Sequence, residues 1–286
     1  MYSHFSQTDL VTPYGLVFVV ALTTCWWLTR RNAKTLGIHG SHIDLLLPLA
    51  VAAGVGGVAI LSRLIPADQL LAGEALQVDV RYRLFGLVVF AAVAIFAYSR
   101  LNKLSFRSLM DTFALPAMIA LAVQRIGCFM AGCCWGDISV HDTWLTSIAA
   151  TDVGLQVQTL PWLAGEWVWT AVHYGPGTFP YEQQVAIGLI STDAAQSLPV
   201  HPVQLYEAAL LVIAYAVLRR VPLGKPRPGL VAVTAALAYA VIRFAMEYLR
   251  ADGALAVSNL TITQLQCIVL AVIVLSALRL SSPRIE

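Results

Sequence analysis

The stretch LVAVTAALAYAVIRFAMEY, residues 230–248, is apolar over most of its length, and its only charged residues are Arg243 and Glu247. A helix needs about 20 mainly apolar residues to cross the hydrocarbon core of a bilayer. The whole chain is also strongly apolar: 58% of its residues are hydrophobic, 12% are charged and its mean hydropathy is +0.73. A water-soluble fold with so few charges would expose large apolar patches. The sequence therefore predicts a polytopic membrane protein and excludes a soluble enzyme, a disordered chain and a fibrous protein.

Six further apolar runs accompany this stretch, and together they predict an all-α membrane protein with seven transmembrane helices. The predicted spans are Pro13–Leu28, Leu45–Ile65, Leu84–Tyr98, Thr112–Val123, Val203–Leu218, Leu230–Tyr248 and Leu260–Leu278. The first run follows no basic region and precedes no small-residue cleavage site, so we interpret it as a retained span and not a signal peptide. We expect residues 1–286 to form a single integral membrane domain.

The basic residues indicate how the chain is oriented. Twelve of the 18 fall on alternate loops: Arg30, Arg31, Lys34, Arg100, Lys103, Arg107, Arg219, Arg220, Lys225, Arg227, Arg279 and Arg284. Cytoplasmic loops carry an excess of Lys and Arg, which predicts an outer N-terminus and a cytoplasmic C-terminus. Residues 137–200 contain neither Lys nor Arg. We predict that they form a small extracytoplasmic head between spans four and five, the alternative being an unstructured loop.

Ionisable groups are costly inside a membrane and usually mark a site or a pathway. Arg243, Glu247 and Arg250 follow at i, i+4 and i+7, a spacing that predicts one shared helical face. Further groups of this kind are Arg81 and Arg83 before span three, Arg125 at the end of span four, and His201 and Glu207 around the start of span five. Either the arginines bind a phospholipid phosphate through paired hydrogen bonds, or Arg243–Glu247 and Arg125–Glu207 are ion pairs that join helices.

Three of the five cysteines lie close together in the sequence, at Cys128, Cys133 and Cys134. Without a second paired set this spacing is only a weak indication of a metal site, so we predict no metal and no cofactor. The net charge of +2 and the lack of a dense basic run exclude nucleic acid as a partner.

The cysteines belong to the segment QRIGCFMAGCCWG, residues 124–136. This segment resembles the signature of bacterial prolipoprotein diacylglyceryl transferases, usually Gly-Arg-x-Gly-Asn-Phe-x-Asn-Gly-Glu-x-x-Gly. Three other segments resemble the family in the same order: Pro13-Tyr14-Gly15-Leu16, His201-Pro202-Val203-Gln204-Leu205-Tyr206-Glu207, and Lys225-Pro226-Arg227-Pro228-Gly229 followed by Tyr239, Arg243, Glu247 and Arg250. The resemblance extends over nearly the whole chain.

The resemblance implies a transferase at the outer face of the membrane. The family moves a diacylglyceryl group from phosphatidylglycerol to the lipobox cysteine thiol of a preprolipoprotein, releasing glycerol phosphate. By position, Arg125 and Arg243 would neutralise the phosphate and Glu207 and Glu247 would fix these arginines. The remaining expected substrate-binding residues are Tyr14, Tyr239, Arg81, Arg83, Arg250 and Gly136.

The chain departs from the family pattern at three positions. The family's histidine corresponds to Phe85, its signature asparagine to Cys128 and its signature glutamate to Cys133. Phenylalanine cannot accept a proton, so we consider His201 as a substitute base. Cys128, Cys133 or Cys134 is an alternative nucleophile activated by Arg125; the cysteines otherwise serve as small packing residues or form an oxidation product.

Three functional hypotheses follow from these departures. The first is a phospholipid-dependent transferase. Its acceptor is either a lipoprotein cysteine or a different group. The second is a membrane protein that binds lipid without transferase activity, and the third is a redox or metal role for the cysteine run. We favour the first and expect the head segment to select the acceptor, because loops on a rigid scaffold carry recognition.

Overall fold

The computed structural model describes residues 13–64, 89–138, 171–224, 227–250, 255–257 and 260–279. Its helices are α1 (Pro13–Thr35), α2 (Gly40–Leu64), α3 (Val89–Leu101), α4 (Phe106–Ala131), α5 (Phe179–Ala186), α6 (Val203–Leu218), α7 (Leu230–Met246) and α8 (Ile262–Arg279). A 3-10 turn, Glu247–Leu249, follows α7. Two short strands, β1 (Leu255–Val257) and β2 (Leu260–Thr261), pair antiparallel. The predicted helical class is confirmed, with this small strand pair as an addition.

Three helical segments in the described part of the chain are long and apolar enough to cross a membrane: Gly40–Ile60, Phe106–Ala131 and Leu230–Leu249. Shorter apolar helices occupy Val89–Leu101, Val203–Leu218 and Ile262–Ser276. At most a third of the apolar window of each long segment is buried within the protein (22–33%), so most of this apolar surface faces outward, as in helices that contact lipid. The protein is therefore a membrane protein, while the count of seven spans stays a prediction.

Two sequence-based predictions near the candidate site differ in detail from the structure. The fourth span was predicted to be short, Thr112–Val123, but α4 has 26 residues and continues through Gln124 and Arg125 to Ala131. It continues because the Arg125 charge is neutralised by a carboxylate on α6. Arg243, Glu247 and Arg250 do not share one regular α-helix, since α7 ends at Met246 and Arg250 has extended backbone after the 3-10 turn.

The chain divides into two compact units. The first comprises residues 1–22, 119–214 and 238–269 and contains the described candidate site residues. The second comprises residues 23–118, 215–237 and 270–286. Its buried core consists of Ala33, Ile38, Ile43, Leu46, Tyr98 and Leu109. The single membrane domain expected from the sequence stays a prediction.

A buried carboxylate fixes the start of α7 within the second unit. Asp111 of α4 is fully buried, and its carboxylate accepts hydrogen bonds from the backbone N–H of Gly229 (2.7 Å) and Ala232 (2.8 Å). These N–H groups lie in the first turn of α7, where helical partners are missing and a negative charge is favourable. Gly229 has φ +94°, a backbone conformation that side chains with a Cβ rarely adopt. The contact explains why glycine ends the Lys-Pro-Arg-Pro-Gly segment.

We expect Asp111→Asn to lower the free energy of unfolding by about 1–3 kcal/mol, because an amide offers one acceptor oxygen and turns an NH2 group toward a backbone donor. Thermal unfolding in detergent micelles measures the effect. Asp44→Asn is the matched control: Asp44 pairs with Arg30 at an exposed site (3.0 Å), where an ion pair contributes little. Equal losses in the two variants would contradict the role given to Asp111.

Candidate active site

An ion pair joins α4 to α6 in the first unit. Arg125 Nε lies 2.9 Å from Glu207 Oε2, and the Glu207 side chain is 2% exposed. The sequence left open whether these two residues pair with each other, and the structure confirms that they do. The pair holds the Arg125 guanidinium in a fixed place although it is largely buried.

A second buried carboxylate, Glu247, contacts two more arginines. Its Oε2 atom lies 2.8 Å from Arg243 Nη2 and 3.9 Å from Arg250 Nε. Its Oε1 atom accepts a hydrogen bond from Thr261 Oγ1 at 2.9 Å. The sequence left the Arg243–Glu247 pair open as one of two alternatives, and the structure shows that it forms. Arg250 reaches the same carboxylate because the 3-10 turn brings it back toward Glu247.

Thr261 and Gln264 support Glu247, and sequence reasoning missed both. The Thr261 N–H donates to Gln264 Oε1 (2.9 Å), and the Gln264 N–H donates to Thr261 Oγ1 (3.2 Å). This reciprocal pair is a capping box at the start of α8. The segment Thr261-Ile262-Thr263-Gln264 before an apolar run is the sequence signal that identifies it. The box positions the threonine hydroxyl that donates to Glu247.

The three arginines carry one more charge than the two glutamates. Arg125 interacts electrostatically with Arg250 and Tyr239, and Tyr239 with Arg243 and Glu207, so these groups form one cluster. Among the described residues, the buried Nη1 atom of Arg243 has no hydrogen-bond acceptor. An unpaired buried donor is costly unless a ligand completes it. The cluster is therefore suited to an anion.

The cysteine loop follows α4 directly beside this cluster. Gly132 (φ +67°) and Cys134 (φ +59°) both have left-handed backbone, which turns the chain back on itself. As a result the sulfur atoms of Cys128, Cys133 and Cys134 all lie within 4.8 Å of one another. Gln204 Nε2 of α6 donates to the Cys133 carbonyl at 2.7 Å and holds the loop. These cysteines are close in sequence, but only the folded loop brings their sulfur atoms together.

The charges of the loop depend on this convergence. Hydrogen bonds from the thiols of Cys128 and Cys133 lower the pKa of Cys134, and Arg250 and Arg125 lower it further. Hydrogen bonds with Cys128 and Cys134 raise the pKa of Cys133. The convergence of the three thiols therefore makes Cys134 more acidic than Cys133. Tyr14 of α1 interacts electrostatically with all three cysteines.

Gly136 joins the cysteine loop to the segment before α6. Its N–H donates to the His201 carbonyl (2.9 Å), the His201 N–H donates to the Asp137 carbonyl (3.0 Å), and Gly136 also forms a bridge with Arg250. A Cβ atom on Gly136 would lie 2.5 Å from the His201 carbonyl oxygen and 2.5 Å from Val203 Cγ2. Glycine is therefore needed at position 136 for steric reasons, since backbone passes where a side chain would be; its predicted part in substrate binding stays a prediction.

We expect Gly136→Ala to reduce the free energy of unfolding by about 1–3 kcal/mol, because the added methyl group collides with backbone that cannot move freely. Thermal unfolding in micelles checks this. Gly175→Ala is the control, since a Cβ atom there meets nothing within 4 Å. A Gly136→Ala protein as stable as the control would disprove the close approach.

The His201 side chain is buried, and among the described residues its Nδ1 atom has no hydrogen-bond partner. Its ring lies 6.3 Å from the ring of Tyr206. Burial lowers the pKa of His201 below its ordinary value of 6.5. The imidazole is therefore neutral near neutral pH, as a general base must be.

This burial predicts a stability that depends on pH. The folded protein binds the His201 proton more weakly than the unfolded chain, so the contribution is complete above about pH 6.5 and is lost as pH falls toward the folded pKa. We expect the unfolding temperature to drop between about pH 7.5 and about pH 5.5. The drop should be smaller for His201→Gln, and an identical drop in both proteins would refute the prediction.

The described part of the predicted head is folded. Tyr174 is fully buried, and burial raises its pKa to about 12. Tyr181 of α5 donates its hydroxyl toward the carbonyls of Ala194 (2.9 Å) and Thr192 (3.1 Å). Arg81, Arg83 and Phe85 lie outside the described residues, as do residues 139–170.

The chain was compared with known proteins. The family model for prolipoprotein diacylglyceryl transferase matches residues 5–280. The chain belongs to this family. Two relatives named phosphatidylglycerol–prolipoprotein diacylglyceryl transferase come from Chromohalobacter salexigens (28% identical) and Pseudomonas entomophila (29% identical). The alignments cover 90% and 89% of this chain, respectively, and 83% of each relative.

Membership of the prolipoprotein diacylglyceryl transferase family confirms the resemblance found from the motifs. Of the expected site residues, the structure brings together Arg125, Glu207, Tyr239, Arg243, Glu247 and Arg250, and beside them Tyr14, Cys128, Cys133, Gly136 and His201. Cys134, which the sequence suggested only as a possible nucleophile, belongs to the same cluster. The family motifs that are distant in sequence thus meet in one compact unit.

Proposed function

We propose that the protein is a transferase that moves a diacylglyceryl group from phosphatidylglycerol to the cysteine thiol of a prolipoprotein. Relatives aligned over most of the chain carry this activity in their names. The products are a thioether on the acceptor cysteine and glycerol phosphate. The alternative of lipid binding without turnover is an outcome of the test below.

The observation that carries the proposal is the arginine cluster around two buried carboxylates. Arg125 and Arg243 are each held on one side by a glutamate, at 2.9 and 2.8 Å. The Nη1 atom of Arg243 remains as a buried donor without an acceptor among the described residues. Guanidinium groups bind phosphate oxygens through parallel hydrogen bonds. A phospholipid phosphate supplies the acceptor that Arg243 Nη1 lacks among the described residues.

The same cluster explains how the transfer is accelerated. The acceptor sulfur attacks a glyceryl carbon, the carbon–oxygen bond to phosphate breaks, and negative charge develops on the leaving phosphate oxygen. Fixed cations next to this oxygen stabilise the transition state because they need no rearrangement during the reaction. Glu207 and Glu247 act as positioning residues for Arg125 and Arg243. Tyr14 and Tyr239 line the lipid side of the site.

We also propose the arrangement in the membrane. Seven helices cross the bacterial inner membrane, with the N-terminus outside, the C-terminus inside, and residues 137–200 forming an outer head that selects the acceptor. In support, twelve of the 18 basic residues fall on alternate loops, as in cytoplasmic loops, and residues 137–200 contain neither Lys nor Arg. A reporter enzyme that is active only outside the cytoplasm should be inactive when fused after Arg100 or Arg220.

The transferase activity is tested with the purified full-length protein in micelles containing phosphatidylglycerol and a lipobox peptide. Mass spectrometry should detect the peptide with one diacylglyceryl group in thioether linkage, and glycerol phosphate should be released in equal amount. A peptide with serine in place of the cysteine, and phosphatidylcholine in place of phosphatidylglycerol, are the substrate controls.

No thioether product, while a relative named above is active under the same conditions, would contradict the proposal. Binding of phosphatidylglycerol without product would identify a lipid-binding protein. Consumption of phosphatidylglycerol without modification of the peptide would show that the acceptor is not a lipoprotein cysteine.

A further inference from the structure

The loop after α4 places three thiols where one metal ion can contact all of them. The sulfur atoms of Cys128, Cys133 and Cys134 lie within 4.8 Å of one another. In a tetrahedral zinc site with Zn–S bonds of about 2.3 Å, sulfur atoms are about 3.8 Å apart. The observed spread therefore requires only a small contraction of the loop.

The backbone of this loop is held in a costly conformation. Cys134 has φ +59°, and a residue with a Cβ in this region costs on the order of 1–3 kcal/mol. This conformation turns the Cys134 sulfur toward the other two. The hydrogen bond from Gln204 to the Cys133 carbonyl (2.7 Å) fixes the same turn, and Gln204 is almost fully buried. Such support of ligand residues is typical of metal sites.

The net charge of the cysteine cluster and its accessible fourth ligand position match those of a reactive zinc site. Three thiolates and one Zn²⁺ have a net charge of minus one, and Arg125 and Arg250 lie close enough to Cys134 to balance it. In the described part of the chain no fourth histidine, cysteine or carboxylate joins the three sulfurs. Structural zinc sites have four protein ligands, whereas reactive sites leave one position for water or substrate. Cys133 and Cys134 are partly exposed, so this position is accessible.

We propose that Cys128, Cys133 and Cys134 bind one zinc ion whose fourth position receives the acceptor thiol. This inference rests on the proposed transfer to a thiol. A thiol that binds zinc loses its proton, so the site produces the nucleophile without a dedicated base. This solves the problem raised by Phe85, which replaces the family's proton acceptor.

The step balances without an oxidant or a reductant. The acceptor thiol releases its proton to water as its sulfur binds the zinc. This sulfur then forms a bond to the glyceryl carbon while the bond from that carbon to the phosphate oxygen breaks. The electron pair leaves on glycerol phosphate beside Arg125 and Arg243. The product thioether is neutral and is a weaker ligand than a thiolate, so it leaves the metal.

Metal titration of the full-length protein in micelles tests the binding site. After treatment with a chelator, the protein should bind one Zn²⁺ in competition with a chromophoric chelator. Co²⁺ used as a probe should give the intense ligand-field and thiolate charge-transfer bands of a tetrahedral sulfur-rich site. Adding the lipobox peptide should shift these bands, and the serine peptide should not. Cys128→Ser, Cys133→Ser and Cys134→Ser should each weaken zinc binding more than about 100-fold.

The chain supplies matched controls, because Cys25 and Cys267 are free cysteines whose sulfurs do not belong to the group of three. Cys25→Ser and Cys267→Ser should leave zinc affinity unchanged. Equal loss in these controls, Co²⁺ bands that do not respond to the peptide thiol, or a disulfide among the three cysteines in membranes alkylated before lysis would overturn the inference.

The two proposals fail in different ways. Thioether formation at an undiminished rate by metal-free protein would overturn the zinc inference and leave the transferase function intact. Zinc binding with the expected response to the peptide thiol, but with no thioether product, would confirm the metal site and overturn the transferase function.

Discussion

Glu247→Gln is expected to lower the free energy of unfolding by about 3–5 kcal/mol and to remove most transferase activity. The amide keeps the size of the side chain and an oxygen for the Thr261 hydroxyl (2.9 Å). It loses the charge that faces Arg243 (2.8 Å) and Arg250 (3.9 Å), and the Glu247 side chain has no exposed surface. The buried Arg243 guanidinium then lacks its counter-charge, and Arg250 loses one of its partners. Thermal unfolding in micelles and thioether formation measure the two effects.

The stabilisation of the same variant by lipid provides a second test. If a phosphate binds beside these arginines, phosphatidylglycerol should stabilise Glu247→Gln more than it stabilises the unchanged protein, whereas phosphatidylcholine should not. Glu182→Gln is the control for stability, because Glu182 is an exposed carboxylate that accepts one hydrogen bond from the Gly177 N–H (3.0 Å). Similar stability losses at the two positions would contradict the buried role of Glu247.

Arg243→Lys is expected to lower kcat/KM for phosphatidylglycerol about 100- to 1,000-fold with little change in stability. Lysine keeps the positive charge and can still pair with Glu247 four residues later. It lacks the second nitrogen that corresponds to Arg243 Nη1, the buried donor without an acceptor among the described residues. Loss of activity without loss of stability would locate the effect on the phosphate. Initial rates of thioether formation at several phosphatidylglycerol concentrations measure it.

Arg30→Lys is the matched control for this prediction. Arg30 also pairs with a carboxylate, Asp44 at 3.0 Å, but both side chains are well exposed and belong to the second unit. We expect its activity to equal that of the unchanged protein. A comparable loss in both variants, or an Arg243→Lys protein with more than about a third of the normal rate, would contradict the assignment of Arg243 to the phosphate.

Local sequence predicted the secondary structure well where hydrophobic length decided it. The bounds of Val203–Leu218 were predicted as the structure has them. They were wrong at α4, where Gln124 and Arg125 suggested an end but the helix continues to Ala131. A charged residue ends an apolar pattern in sequence, yet it remains in a helix when a partner such as Glu207 neutralises it. The partner is 82 positions away, so no local pattern contains this information.

For the site too, local sequence identified some residues, whereas their contacts required the fold. The arginines, the glutamates and His201 were found because charges are rare in this chain and stand out within apolar runs. Which carboxylate holds which arginine, and the capping box of Thr261 and Gln264, required the fold. Arg243, Glu247 and Arg250 meet as the spacing predicts, although a 3-10 turn and not a continued α-helix brings Arg250 to the Glu247 carboxylate.

The sequence by itself determined that this protein is helical, belongs in a membrane, and carries the motifs of a prolipoprotein diacylglyceryl transferase. These properties depend on composition and on short segments, which no tertiary contact can alter. Only the tertiary structure decided that three cysteine sulfurs converge, that Arg243 has a buried donor with no acceptor among the described residues, and that both features lie in one unit. The convergence depends on left-handed backbone at Cys134 and on a hydrogen bond from Gln204, 71 residues beyond Cys133. Chemistry at this site arises from groups that the chain brings together only when it folds.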